Sequence, residues 1–203
     1  MPNIGGDEID LLSQMRGVDY THLRNLLAIQ SWKKADEETA RQMLKLADRE
    51  EEGYLALDDI EDFSCKHLRT IDQLWVKYSN GRFGFSVQKR IYQSLMEIEH
   101  LSEPRIYYST GQNSIFGLRD MNKFYDLVGW RKSGEDLSNY NDLRFNIRAP
   151  EGCLPVAMRF GLEYRWWGGR GAVRVGGWQD ESRDVFLMEC LWKLFKKLIE
   201  CNI

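Results

Sequence analysis

The sequence predicts an all-α fold, and three observations predict it. Apolar residues recur at three- and four-residue spacing in one segment after another, which places them on one side of a helix. Residues that favour helix starts stand before several of these segments. Between Ala35 and Ala47 the acidic residues precede the basic ones, the order that suits a helix dipole. With 203 residues, 43% hydrophobic and 29% charged, the chain suits one globular domain that buries a core without staples.

Taken in order, the first helix carries Leu23, Leu26, Leu27 and Ile29 on one side, with Trp32 at its exit. The second, Ala35 to Ala47, repeats the pattern with Ala40, Met43, Leu44 and Ala47. Asp58 followed by Glu61 reads as a capping box opening a short helical turn. Ser64 caps a helix bearing Leu68, Ile71, Leu74, Trp75 and Tyr78, and Ser86 caps another bearing Val87, Ile91 and Leu95. Between them, Tyr78 to Phe85 reads as a tight helix-to-helix loop in which Gly81 and Gly84 permit unusual backbone angles. A hairpin at Asn80-Gly81 is the alternative, opposed by helical runs on both sides.

Residues 96 to 122 have mixed polarity and turn formers, and read as an excursion from the core with a short helix of its own. Residues 123 to 130 return to an apolar pattern, and 133 to 141 read as loop. Residues 159 to 178 are rich in Gly, Arg and Trp. A final helix then presents Phe186, Leu187, Cys190, Leu191, Leu194, Phe195 and Leu198 to the core.

Several function classes are disfavoured. A net charge of -3 argues against a bulk electrostatic nucleic-acid binder. The four cysteines, at 65, 153, 190 and 201, form no CxxC pair, and with only three histidines no zinc spacing arises. Free thiols in a reducing compartment are the expectation. The start, MPNIGGDEID, has neither the basic nor the apolar region of a secretory signal, and no apolar run approaches the roughly 20 residues of a membrane span. A soluble intracellular protein is therefore expected.

His22, His67 and His100 stand in separate segments on expected helix surfaces, and Cys65 and His67, two apart, point in different directions on a helix. The pairs and runs Asp58/Asp59 and Glu50/Glu51/Glu52 read as solvated, without the EF-hand spacing that would bind calcium. Gly168-Gly169-Arg170-Gly171 lacks the Lys of a phosphate-cradling loop. No catalytic residue, metal site or required cofactor is expected, and the chain reads as a binder rather than an enzyme. One cluster stands out: Arg159, Arg165, Arg170 and Arg174 interleaved with Trp166, Trp167 and Trp178. Composition leaves three readings open: a packed insertion with cation–π contacts, a site for a planar carboxylate-bearing ligand, or a single-stranded nucleic-acid surface.

The run LRTIDQLWVKYSNGRFGFSVQKRIYQS, Leu68 to Ser94, resembles the signature of the genomes-uncoupled-four family. Trp75, Ser79, Asn80, Gly81, Phe83, Gly84, Phe85, Ser86, Val87, Gln88 and Arg90 carry that resemblance. Upstream, LRNLLAIQSWKKADEETARQML is similar to the family's opening helices and IEDFSCKHLRTID to its approach to the signature. Downstream, VGWR and APEGCLP resemble its later blocks, with Cys153 where the family usually has His.

The resemblance implies a compact cupped hand of helices over residues 17–203, with residues 1–16 as an extension and insertions at about 96–122 and 163–185. It implies a tetrapyrrole ligand, protoporphyrin IX, Mg-protoporphyrin IX or a bilin, gripped on the concave surface. The implied role is that of a carrier or regulator that stimulates magnesium chelatase through its large porphyrin-binding subunit, in the cytoplasm of cyanobacteria or the chloroplast stroma. Ile60 and Phe63 match the block that approaches the ligand, Arg159 falls near the ligand-side arginines that follow the Leu-Pro dipeptide, and Arg165 is a further candidate. Trp75, Asn80, Gly81, Phe83, Gly84, Phe85, Ser86 and Gln88 are expected to be structural, with Asn80 and Gln88 holding the loop by hydrogen bonds. The alternative is a stand-alone signalling or protein-interaction module that keeps the fold without binding porphyrin.

Overall fold

A computed structural model describes residues 18–98, 115–132, 135–136, 140–156 and 180–203. Among these the helices are α1 (Thr21–Ala28), α2 (Trp32–Leu46), α3 (Leu57–Glu61), α4 (Cys65–Tyr78), α5 (Phe85–Ile98), α6 (Ile115–Val128) and α7 (Asp180–Glu200). The all-α expectation therefore holds for the core. The only strands among the described residues are two short ones, Arg131–Lys132 and Glu135–Asp136, paired antiparallel. Within the stretch read as loop, Glu135–Asp136 thus pairs back, and Tyr140–Asp142 forms a 3-10 turn.

Leu23, Leu26 and Leu27 of α1 are buried as expected, but Ile29 is 74% exposed. The helix has already ended there, and Gln30 takes a positive φ of 56°. Helix α2 starts three residues earlier than its charge pattern suggested. The shift puts Trp32, Ala35, Asp36, Thr39 and Met43 on the buried side. Lys33 and Lys34 then occupy the first turn, so the acids do not serve the dipole. Asp36 and Glu38 are instead drawn into buried contacts.

Helix α3 is capped two positions before the expected Asp58–Glu61 pair. Ala56 is the N-cap residue, and its N–H donates to Asp59 Oδ2 at 2.7 Å. Ser64 does stand at the N-cap of α4, but it contributes through its carbonyl, which accepts from the Leu68 N–H at 3.1 Å. Ser86 does not cap α5, which starts at Phe85. Its own N–H is instead held by Asp72 Oδ1 of α4 at 2.8 Å. The cap of one helix thus comes from its neighbour, an arrangement invisible to a rule based on adjacent residues.

Two aromatic centres organise the packing. In the first, Trp32 stacks on Trp75 at 6.1 Å and Phe83 meets Trp32 edge-on at 5.4 Å. In the second, Phe124 of α6 meets Tyr92 of α5, Phe195 of α7 and Trp130 at 6.0, 5.6 and 5.6 Å. Large rings at such separations supply much of the buried apolar area of a helical domain. Helix α7 closes over α3, where Lys193 Nζ pairs with Glu61 at 2.6 Å and Lys197 Nζ donates to the Glu61 carbonyl at 2.5 Å. Its residues Cys190, Leu191, Leu194, Phe195 and Leu198 are buried, as their spacing predicted. Phe186 and Leu187 belong to the same helix.

Two expectations about side chains are corrected. Cys65 and Cys201 are joined as a disulfide, while Cys153 and Cys190 are free and buried. His67 is not a surface residue: it is 5% exposed, and the Tyr20 hydroxyl lies 2.7 Å from its Nδ1. Sequence spacing could reveal neither, because both partners of each pair come from distant segments.

Candidate functional site

The signature loop joins α4 to α5 without a hairpin, through Asn80, Gly81 and Gly84 at φ 55°, 79° and 141°. Gly84 is required twice over. Its φ is one that side chains rarely adopt, and a Cβ there would lie 2.8 Å from both Asp72 Oδ1 and Val76 Cγ2. The loop's side-chain clasp is Ser79, whose Oγ accepts from the Phe83 N–H at 2.8 Å. Exposed Asn80 contributes its left-handed backbone instead.

Gln88 is the second clasp, and it reaches out of the loop. Its Nε2, almost wholly buried, donates to the carbonyls of Gly152 at 2.9 Å and Pro155 at 2.7 Å. Further bonds run along the same segment. Gly84 N–H donates to Leu154 O at 3.0 Å, Gly152 N–H to Arg82 O at 2.9 Å and Arg82 Nε to Ala149 O at 2.8 Å. Trp130 Nε1 adds a bond to Cys153 O at 2.8 Å. The blocks SNGRFGFSVQ, VGWR and APEGCLP, far apart in sequence, are therefore one hydrogen-bonded unit. Backbone groups of Ala149, Gly152, Leu154 and Pro155 thus find partners on the loop and on Gln88, as burial requires.

This unit has an anchor that the sequence reading overlooked. Asp36, fully buried on α2, accepts from the Tyr140 hydroxyl at 2.8 Å and from the Val156 N–H at 2.7 Å. It ties α2 to both ends of the 140–156 segment. A signal did exist: a helical period started at Trp32 puts Asp36, Thr39 and Met43 on one side, so polar residues stand in an apolar stripe. Thr39 follows the same logic, accepting from Trp75 Nε1 at 3.0 Å.

Ile60 and Phe63 lie in and just after α3 and are 0% and 4% exposed, flanking in sequence the Glu61 that α7 contacts through Lys193. Lys193 holds the Glu61 carboxyl below its ordinary range. Arg159 and Arg165, with the rest of the Arg/Trp cluster, lie outside the described residues. Ile60 and Phe63 both belong to the buried core, and the Val156 N–H is held by the Asp36 carboxylate.

The described residues offer little reactive chemistry. Burial, reinforced by the nearby Asp36 charge, pushes the Cys153 thiol up to about 12, which keeps it protonated and inert. Among the described residues no group of three or more His, Cys, Asp or Glu is arranged to hold a metal ion, and no helix is long and apolar enough to cross a membrane.

Fold and site together define a helical domain whose signature loop is hydrogen-bonded to residues 149–156. The chain belongs to the GUN4-like family, whose model matches residues 13–167. It is 29% identical over 148 residues to the Ycf53-like protein of Synechocystis sp., covering 71% of this chain and 54% of that protein. It is 39% identical over 72 residues to the chloroplastic tetrapyrrole-binding protein of Arabidopsis thaliana, covering 34% of this chain and 27% of that one. The chain spans about half the length, or less, of the curated relatives it matches.

Among solved structures, GUN4 from Chlamydomonas reinhardtii superposes with a TM-score of 0.54 at 21% identity, covering 92% of this chain and 91% of that one. Ligand-free Arabidopsis thaliana GUN4 gives 0.53 at 22% identity, covering 85% and 92%. These likenesses establish the fold.

Proposed function

We propose that this chain binds a tetrapyrrole and acts as a carrier or regulator, with no chemistry of its own. The observation that carries the reading is the family match over residues 13–167, one relative of which is named for tetrapyrrole binding. Physical features support it. A porphyrin or bilin is a flat apolar body edged by carboxylates, so its faces need apolar enclosure and its propionates need bidentate cations. Arg159 and Arg165 are assigned the propionates, and Ile60 and Phe63 the apolar side of the site. Because both apolar residues are buried, their contact with a macrocycle requires the packing around them to open.

The ligand class comprises protoporphyrin IX, Mg-protoporphyrin IX and bilins. Stimulation of magnesium chelatase through its large porphyrin-binding subunit is the proposed output. The matching relatives come from a cyanobacterium and from plastid-bearing organisms, which supports a cyanobacterial cytoplasm or a chloroplast stroma as the setting.

The test is titration with deuteroporphyrin and with biliverdin, following quenching of the protein's seven tryptophans. Saturable binding that weakens in Arg159→Ala and in Phe63→Ala, with unchanged helix content, is the expected result. Wild-type affinity in both variants rejects the assigned site. The burial of Ile60 and Phe63 favours a second reading, an interaction module that has kept the fold. Absence of binding to either tetrapyrrole, together with a partner captured only when residues 163–178 are present, selects it.

A further inference from the structure

Cys65 and Cys201 stand 136 residues apart in sequence, yet their Cα atoms lie 5.1 Å apart, within the range that a disulfide spans. Cys65 is the first residue of α4 and is half-buried, the less buried of the two cysteines. Cys201 directly follows α7 and is 3% exposed, with the Arg69 guanidinium donating to its carbonyl. The bond therefore fastens the end of the last helix to the start of α4, beside the Lys193 and Lys197 contacts to Glu61. Cys153 and Cys190 are both buried, which separates them from this chemistry.

We propose that Cys65–Cys201 is a thiol–disulfide exchange site that takes a protein dithiol as reductant and latches the end of α7 onto α3 and α4. The incoming thiolate attacks Sγ of Cys65, the less buried of the two residues. The intramolecular S–S bond breaks, and Cys201 leaves as a thiolate and takes up a proton. The reductant's second thiolate then attacks its own sulfur in the mixed disulfide and displaces Cys65.

Cys65 departs at the N-terminus of α4, where the positive end of the helix favours a thiolate before it is protonated. Two electrons and two protons pass from the dithiol, which becomes a disulfide, and the oxidised reductant drives the reverse reaction. Reduction leaves the apolar face of α7 in place, since Leu191, Leu194, Phe195 and Leu198 stay buried without the bond. What is released is the last turn and the α3 contact.

The experiment uses the full chain with thioredoxin, thioredoxin reductase and NADPH, counting reactive thiols in denaturant after acid quenching of the native reaction. Hydrogen exchange is followed in parallel on the oxidised and reduced wild type. The expected thiol count rises from two to four and returns to two with oxidised thioredoxin. Protection is lost in residues 196–203 and 57–66 but kept in α2. In Cys65→Ser, exchange matches the reduced wild type under both conditions.

A count that stays at two under native conditions overturns the exchange site and leaves a purely structural bond. A count of four that never falls on oxidation overturns it equally. Reversible cycling with identical exchange in both states overturns the latch. Because the reduced wild type is itself measured, a Cys65→Ser protein that fails to fold does not remove the test.

Discussion

Replacing Asp36 with alanine tests the buried anchor directly. Its carboxylate accepts from the Tyr140 hydroxyl at 2.8 Å and from the Val156 N–H at 2.7 Å, and the two partner residues are 8% and 0% exposed. Truncation leaves two buried donors without this acceptor, and each costs about 1–3 kcal/mol because water does not replace the lost partner. The tyrosine hydroxyl can rotate toward another acceptor, whereas the amide cannot, so the amide should carry the larger share. A total of about 3–4 kcal/mol is expected, which for a chain of this length lowers Tm by about 10 °C.

Asp36→Asn should cost far less. Its oxygen still accepts from Val156, its NH2 can donate to the Tyr140 oxygen, and the desolvation of a buried charge is avoided. A double-mutant cycle isolates the pair. Tyr140→Phe should cost about 1 kcal/mol alone and close to nothing in the Asp36→Ala background. Thermal unfolding by circular dichroism reads all four proteins. An Asp36→Ala protein melting within about 1 °C of wild type, or a Tyr140→Phe cost that persists without Asp36, refutes the anchor.

Three further outcomes are expected. Gly84→Ala, placing a methyl 2.8 Å from Asp72 Oδ1 and Val76 Cγ2 at a φ of 141°, should destabilise by at least about 2 kcal/mol, read as a lower urea midpoint. Gln88→Leu removes the bonds to Gly152 and Pro155, so a loss of about 2 kcal/mol with an unchanged m-value is expected, and a wild-type midpoint counts against the clasp. Burial raises the Asp72 carboxyl above its ordinary 3.8, more than the Ser86 N–H lowers it. The folded state then holds that proton more tightly than the unfolded one, so Asp72's contribution falls as pH rises from 3.8 to its raised folded value and is constant above. Unfolding free energies of Asp72→Asn relative to wild type should accordingly climb across that window and then level off, and a flat difference contradicts the assignment.

Much of the fold was legible in the chain itself. Three-and-four spacing of Leu68, Ile71, Leu74 and Trp75, and of Cys190, Leu191, Leu194 and Leu198, named buried faces that the structure confirms, because an amphipathic helix has one way to hide its stripe. The loop at 79–85 was equally legible, since Asn and Gly at left-handed positions between two helical runs leave few other paths. The family resemblance in residues 68–94 was carried by the same residues. The resemblance, not spacing, singled out Ile60 and Phe63, and nothing in their spacing disclosed that both are buried.

What only the tertiary structure decided is which distant groups meet. Asp72 caps α5 from α4, and Asp36 receives Val156, 120 positions away. Gln88 holds Gly152 and Pro155, and Cys65 finds Cys201. Sequence spacing reports on the local geometry of one element, where neighbours lie three or four residues apart. A buried polar group takes whatever partner the packed helices bring to it, and that partner is set by the assembled core rather than by any local pattern.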